Sequence, residues 1–154
     1  DLYRRGMYTF IKRGSPPPSL ITFDATSREI CTIKREKTSS PLQSLVLLND
    51  TQFFEASRVF AERIISQSKN DLSDQIMYGF RLATSRFPKE SEAQLLKQLY
   101  LNKLSFYKKN KSEAYKVINI GASKTKFSKK APQIAAMTMV ANTLLNLNES
   151  YYKY

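Results

Sequence analysis

The chain has 154 residues, 42% of them hydrophobic and 25% charged, with a formal net charge of +12. This is the balance of a globular domain with a sizeable core, not of a disordered segment. It has no histidine, one cysteine and four glycines. A Ser-His-Asp triad, a Cys-His pair, a His-ligated zinc, an intrachain disulfide, a C-x-x-C-H haem attachment and a glycine-rich phosphate loop are therefore excluded within this chain.

The first 18 residues are aromatic and basic, with Leu2, Tyr3, Met7, Tyr8, Phe10 and Ile11 compatible with either a turn of helix or a strand. Gly14-Ser15 ends that segment. Pro16, Pro17 and Pro18 impose a polyproline path, read as a stiff connector rather than an SH3-type ligand. Residues 19–23 are expected as a short strand or extended arm, and residues 24–27 as a turn. The whole of 1–40 is expected to lie as an extended arm on a helical body formed by residues 41–150, within a single domain of 1–154.

Ser40 and Pro41 announce the first helix of the body, Pro at the first helical position and Ser as cap. Leu42, Leu45, Val46 and Leu48 are expected to bury. Asn49-Asp50 stops this helix, and Asp50-Thr51 caps a longer one reaching about residue 68, with Phe53, Ala56, Phe60 and Ile64 on its inner face and Ala61 and Ile65 beside them. Asp71 or Ser73 opens the next, with Ile76, Phe80, Ala83 and Phe87 inward and Pro88 as terminator. Ser91 begins a helix to about Lys109 with Leu95, Leu96, Leu99, Lys103 and Phe106 in register, where the Lys103 stem lies along the core edge. Ser112 caps a short helix that Gly121 stops in left-handed conformation. A basic loop follows, and Pro132 opens the last helix, with Ala135, Met139, Asn142 and Leu145 beside Ile134, Thr138, Ala141 and Leu144. The pattern predicts an all-α fold: an irregular antiparallel bundle of five or six helices behind the extended N-terminal arm.

Charge is uneven. Residues 1–40 hold eight basic and four acidic side chains, and 41–102 balance at seven and seven. Residues 103–130 hold nine lysines against Glu113 alone. Asp24, Arg28, Glu29, Arg35 and Glu36 form the densest set of opposite charges. Such residues can act as an acid–base pair or an anion clamp, but the preferred reading is an ion-pair network pinning the arm, for which the planar arginine fork is suited. Cys31 lacks a histidine to activate it and is expected as a buried small hydrophobe. Lys124, Lys126, Lys129 and Lys130 are candidates for an anion surface, although lysine without arginine reads first as a solvated face.

The sequence also resembles a known family. The residues that carry the resemblance are Arg4-Arg5, Tyr8, Lys12-Arg13, Pro16-Pro17-Pro18-Ser19, Phe23-Asp24, Arg28-Glu29, Cys31, Arg35, Thr38 and Pro41-Leu42-Gln43. They continue through Leu45, Leu47-Leu48-Asn49-Asp50, Glu55-Ala56, Arg58, Ala61-Glu62-Arg63 and the tail from Ala141 to Glu149. Together they resemble the C-terminal helical domain of unknown function of planctomycete-type, cytochrome c-associated bacterial proteins. The chain departs from that pattern at Ile11, where the family has an aromatic, and at Thr38-Ser39-Ser40-Pro41, where it has T-N-T-P. The resemblance implies an exported, periplasmic setting, other domains of the parent chain as partners, and haem on another module, with no cofactor held here. No run approaches the ~20 apolar residues of a membrane span. The start at Asp1 is read as that of a piece excised from a longer chain. The function expected is that of a non-catalytic module, the alternative being an anion-binding module for acidic or sulfated polysaccharide or nucleic acid. An enzyme using Asp24, Glu29 or Cys31 is the least favoured reading.

Overall fold

The computed structural model describes residues 3, 6–12, 14–27, 29–34, 38–68, 71–125 and 128–152. The described residues form eight α-helices and two 3-10 turns, with no strand among them. The chain divides into two compact units, Asp1–Val46 and Leu47–Tyr154. The all-α expectation holds, and six of the helices are eight residues or longer.

In the first unit, Gly6–Tyr8 is a 3-10 turn and Pro18–Thr22 is a helical turn, α1. This corrects the expected strand at residues 19–23. Pro17 keeps polyproline geometry at φ −56° and ψ 127°, but Pro18 occupies the first turn of the helix, where a missing N–H costs no hydrogen bond. The proline run therefore starts a helix instead of extending an arm.

Helix α2, Pro41–Asn49, begins with a reciprocal cap. The Gln43 N–H donates to Ser40 Oγ at 3.4 Å and the Ser40 N–H to Gln43 Oε1 at 3.2 Å. Its expected inner face is corrected: Leu42, Leu45 and Leu48 are exposed, while Gln43 and Leu47 are buried. Leucine or valine occupies five of the nine positions of α2, so periodicity selects no face. The hydrogen bonds of Gln43 fix the register.

The second unit is arranged around α7, Ala131–Leu145. It packs against α3 (Thr51–Gln67), α4 (Leu72–Thr84), α5 (Glu90–Lys109), α6 (Lys111–Ile118) and α8 (Asn148–Tyr151). Ten of its fifteen residues are buried, including Ile134, Met137, Val140 and Leu144. One core cluster joins Ala61, Ile64, Ile76, Phe80, Leu96, Met137, Val140, Ala141 and Leu144. A second joins Tyr107, Ala114, Ile118, Ala131, Ile134, Ala135 and Ala136. Fully burying each large apolar side chain contributes roughly 1.5–3 kcal/mol. Gly79 lets α4 approach closely: a Cβ there would lie 2.7 Å from Ile64 Cδ1.

Several faces differ from the expected ones. Ala56 is exposed; Ala61 and Ile64 are buried as expected, and α3 buries Glu55, Ser57 and Arg58 beside them. Helix α4 ends at Thr84, before Pro88, because Ser85 adopts φ 62°. Phe87 consequently leaves the helix and is exposed, with the Arg81 guanidinium 5.1 Å from its ring centroid. On α5, Leu95, Lys103 and Phe106 face solvent, and the inner row is Leu96, Tyr100, Leu104 and Tyr107. Ser112 lies inside α6 rather than capping it, because the helix already starts at Lys111. Asp50 does cap α3, accepting the Gln52 N–H at 2.8 Å. Among the described residues no helix is long and apolar enough to cross a membrane.

Candidate functional site

Three polar constellations stand out. The first lies at the charged junction of the front segment. Asp24, at φ 55°, accepts the Thr38 N–H at 2.8 Å and the Thr38 hydroxyl through both carboxylate oxygens. The Gln43 amide donates to Thr22 O at 2.9 Å and to Thr38 Oγ1 at 3.2 Å. Residues 22–24 are thereby tied to residue 38 and to the start of α2. Glu29 is exposed and lines an open pocket of about 310 Å³ with Ile11, Leu20, Ile21, Ala25, Thr26 and Ser27. Arg28, Arg35 and Glu36 lie outside the described residues. Cys31 is exposed, not buried as expected. It sits in a segment without helix, between Ile30 and Ile33, which are themselves exposed, so no apolar layer forms there to cover it.

The second constellation is buried on α3. Arg58 is 1% exposed. Its Nη1 donates to Glu62 Oε1 at 2.6 Å, and Nη2 donates to Ser123 O at 2.9 Å and also to Ser123 Oγ. Glu55, one turn earlier, accepts two successive backbone N–H groups: Ala122 on Oε2 at 2.9 Å and Ser123 on Oε1 at 2.8 Å. The Arg58 and Glu55 charges lie 3.8 Å apart. Gly121 makes this approach possible. It sits at φ 97°, and a Cβ there would lie 2.2 Å from Glu55 Oε2. The expected left-handed glycine after α6 is present, and its reason is the close carboxylate. Arg58 Nε, Asn142 Nδ2 and Asn146 Oδ1 are buried without a hydrogen-bond partner among the described residues.

The third constellation is the fork of Arg86. Nη1 and Nη2 meet the two oxygens of Glu92 at 2.9 and 2.8 Å, while Nε meets Glu149 Oε2 at 2.7 Å. Glu92 also accepts the Lys89 N–H at the start of α5. The hydrogen bonds from Arg86, then from the Lys89 backbone, lower the Glu92 carboxyl to about 2. Glu149 is lowered by the same guanidinium, and Arg86 is raised by both carboxylates. The guanidinium also sits 4.8 Å from the centroid of the Phe80 ring, joining the fork to the core.

Residues 1–100 match the PSD1 family, described as proteins of unknown function (DUF1553). The chain belongs to this family. No curated protein and no solved structure matches the chain. The part shared with the PSD1 family contains the Asp24–Thr38–Gln43 clamp and the three α3 charges. The lysine-rich segment, Ser123 and Glu149 lie beyond it.

Outside that part, Lys103, Lys108, Lys109, Lys111, Lys116, Lys124, Lys129 and Lys130 are all exposed. Among the described residues only Lys116 pairs with a carboxylate, Glu113 at 2.8 Å. Lys129 and Lys130 belong to the 3-10 turn Ser128–Lys130 that leads into α7. Lys126 lies outside the described residues. Among the described residues no three Asp, Glu or Cys side chains converge as a metal site requires.

Sequence reasoning singled out the front junction but missed both arginine centres of the second unit. The signal on α3 was available: Glu55, Arg58 and Glu62 follow i, i+3, i+7 spacing and share one face. That face borders the Ala61 and Ile64 stripe, which hydropathy alone cannot reveal. For the Arg86 fork, Glu92 stands three residues after the residue preceding α5, the position of a capping carboxylate.

Proposed function

We propose that this chain is a non-catalytic, cofactor-free helical module of a larger exported bacterial protein that also carries cytochrome c-type domains. Its role in this reading is to engage the other domains of its own polypeptide. The observation that carries it is the use made of the charged side chains. Carboxylates and arginines of the kinds that do acid–base work in a cleft are committed here to closing loops: Asp24 on Thr38, Glu55 and Arg58 on residues 122–123, Arg86 between Glu92 and Glu149. The exported, periplasmic setting and the cytochrome association rest on the sequence resemblance. The test is the parent polypeptide. Its cell fractionation and haem stain should place it outside the cytoplasm with covalent haem, while the purified 154-residue chain should show no Soret absorbance and no stoichiometric transition metal. Haem or metal on the isolated chain, or a cytoplasmic parent free of haem, would refute this reading.

A second reading, polyanion binding, is favoured by one specific observation. Eight described lysines between residues 103 and 130 are exposed, and one of them is ion-paired with a carboxylate. Lysines in that state release counterions from a bound polyanion, and the affinity then falls steeply with salt. Titration against heparin and duplex DNA at low and high salt tests it. Affinity that does not change with salt would exclude it.

A further inference from the structure

Helix α5 carries two apolar rows and packs only one of them. The inner row, Leu96, Tyr100, Leu104 and Tyr107, lies against the two core clusters around α7. On another side of the helix, Leu95 is 67% and Phe106 48% exposed, with exposed Asn102 between them. Half-buried Leu99 stands at the border of the two rows. Leu95, Leu99, Asn102 and Phe106 follow at intervals of four, three and four residues, the spacing of a helix–helix seam. All four belong to one continuous helix of 20 residues, so their separations are fixed. At 1.5 Å per residue, Leu95 and Phe106 stand about 16 Å apart along the axis. The Phe106 ring also meets the ring of buried Tyr107 edge to face, with 5.3 Å between centroids. A helix that covers one side of a core needs a single apolar stripe, so the outer row has no task inside this chain.

The charges beside the row state what fits it. Lys103 stands three residues before Phe106 and Lys109 three after, which places both at the border of the seam. Both are exposed, and neither is paired with a carboxylate among the described residues. A second copy in parallel register would set the same two lysines against each other, between chains of net charge +12. A polyanion would give Leu95 and Leu99 no apolar partner. A row one residue wide, with a polar residue inside it, fits between the side chains of a second helix better than it fits a flat lipid surface.

We propose that the outer row of α5 is a docking seam for an amphipathic helix in another domain of the parent polypeptide, apolar along one stripe and carrying aspartate or glutamate where it meets Lys103 and Lys109. This rests on the reading that the module engages the other domains of its own polypeptide, and it names the surface and the chemistry of the partner. Leu95, Leu99 and Phe106 supply the apolar contact. Asn102 restricts the register, because a polar seam residue requires a polar partner. The two lysines select an acidic helix over a basic one.

The experiment uses two arms. In the first, the isolated 154-residue chain is titrated with a designed three-heptad peptide bearing leucine at a and d and glutamate at e and g, and with its isomer bearing lysine at e and g. The glutamate peptide should bind at least tenfold more tightly, and Leu95→Gln/Phe106→Gln should remove that preference while the chain still melts cooperatively. In the second, amine acylation followed by mass spectrometry compares the unmodified parent with the isolated chain, so its result does not depend on any variant folding. Lys103 and Lys109 should react at least fivefold more slowly in the parent, whereas Lys97, exposed on another side of the same helix, should react equally in both. Zero-length carbodiimide cross-linking of the parent should join Lys103 or Lys109 to a carboxylate outside this chain.

Equal binding of the two peptides, or equal labelling of Lys103 and Lys109 in parent and isolated chain, refutes the seam. Cross-links from Lys103 or Lys109 to a carboxylate within residues 1–154 refute it too. A dimer of the isolated chain in analytical ultracentrifugation that Leu95→Gln abolishes assigns the row to a second copy and overturns the proposal. Co-sedimentation with phosphatidylglycerol vesicles that depends on Leu95 and Phe106 overturns it in favour of lipid. Cross-links to other domains from elsewhere on the module, with Lys103 and Lys109 fully reactive, refute this surface and leave the broader reading intact. A parent with no cross-link between the module and any other domain refutes both.

Discussion

Replacing Arg58 by methionine tests the central electrostatic claim about the second unit. The guanidinium is 1% exposed and faces Glu62, 13% exposed, and Glu55, 7% exposed. Methionine keeps most of the side-chain volume, so the cavity contribution is small. What is lost is the cation. Glu62 loses its 2.6 Å partner, and Ser123 loses the donor to its carbonyl. Removing one member of a buried ion pair typically costs about 3–5 kcal/mol, because the remaining charge stays desolvated. Against a total stability of about 5–15 kcal/mol, that is a large share. In a unit of this size it corresponds to a fall in Tm of about 10–20 °C. The assay is urea unfolding followed by far-UV circular dichroism, with Glu62→Gln and the double variant completing a cycle. Coupling of about 0.5–3 kcal/mol between positions 58 and 62 is expected. A loss below about 1 kcal/mol for Arg58→Met, or strict additivity in the cycle, would show that the arginine is solvated in solution and that the α3 charges do not hold the loop.

Phe80→Ala should cost about 3–5 kcal/mol in the same urea melts, since the ring is 1% exposed, whereas half-buried Phe60→Ala should cost less than half of that. Equal losses would mean the core is centred nearer Phe60. The Arg86 fork makes stability depend on acid. Glu92 is depressed in the folded state to about 2 from its ordinary 4.5, so its contribution is complete above pH 4.5 and is lost as pH falls toward 2. The Tm gap between parent and Arg86→Gln should therefore shrink between pH 5 and pH 2, and a gap independent of pH would contradict the fork. In the first unit, Gln43→Leu removes the side-chain half of the cap, the acceptor of the Ser40 N–H, and leaves Thr22 O without its donor, a loss of about 1–3 kcal/mol of local stability. Faster exchange of the Thr38 amide, measured by NMR, should report it, and unchanged exchange would detach Gln43 from the Asp24 clamp.

The sequence by itself determined the helical class and most helix boundaries, because those depend on local chemistry. Pro41 and Pro132 in first turns, Asp50 as a cap and Gly121 at positive φ all sit where short-range sterics and hydrogen bonding require. Exclusions drawn from the lack of histidine and from the single cysteine are equally local. Which face of each helix turns inward was decided by tertiary packing. Helix α2 is apolar nearly all round, so nothing in its periodicity chooses Leu47 over Leu45, and the Gln43 bonds to residues 22 and 38 make the choice. On α5, Leu96 and Leu99 turn inward as their spacing predicts, but packing on α7 brings Tyr100, Leu104 and Tyr107 in beside them and leaves Leu95, Lys103 and Phe106 to solvent. Pro88 is the terminator local sequence predicts for α4, yet Ser85 ends the helix earlier by adopting the left-handed conformation. The charges of α3 show the limit most clearly. The spacing of Glu55, Arg58 and Glu62 places them on one face of α3, but their burial depends on a loop 65 residues further along the chain that brings Ser123 to Arg58. Burial of an ion pair depends on partners distant in sequence, so only the folded chain could decide it.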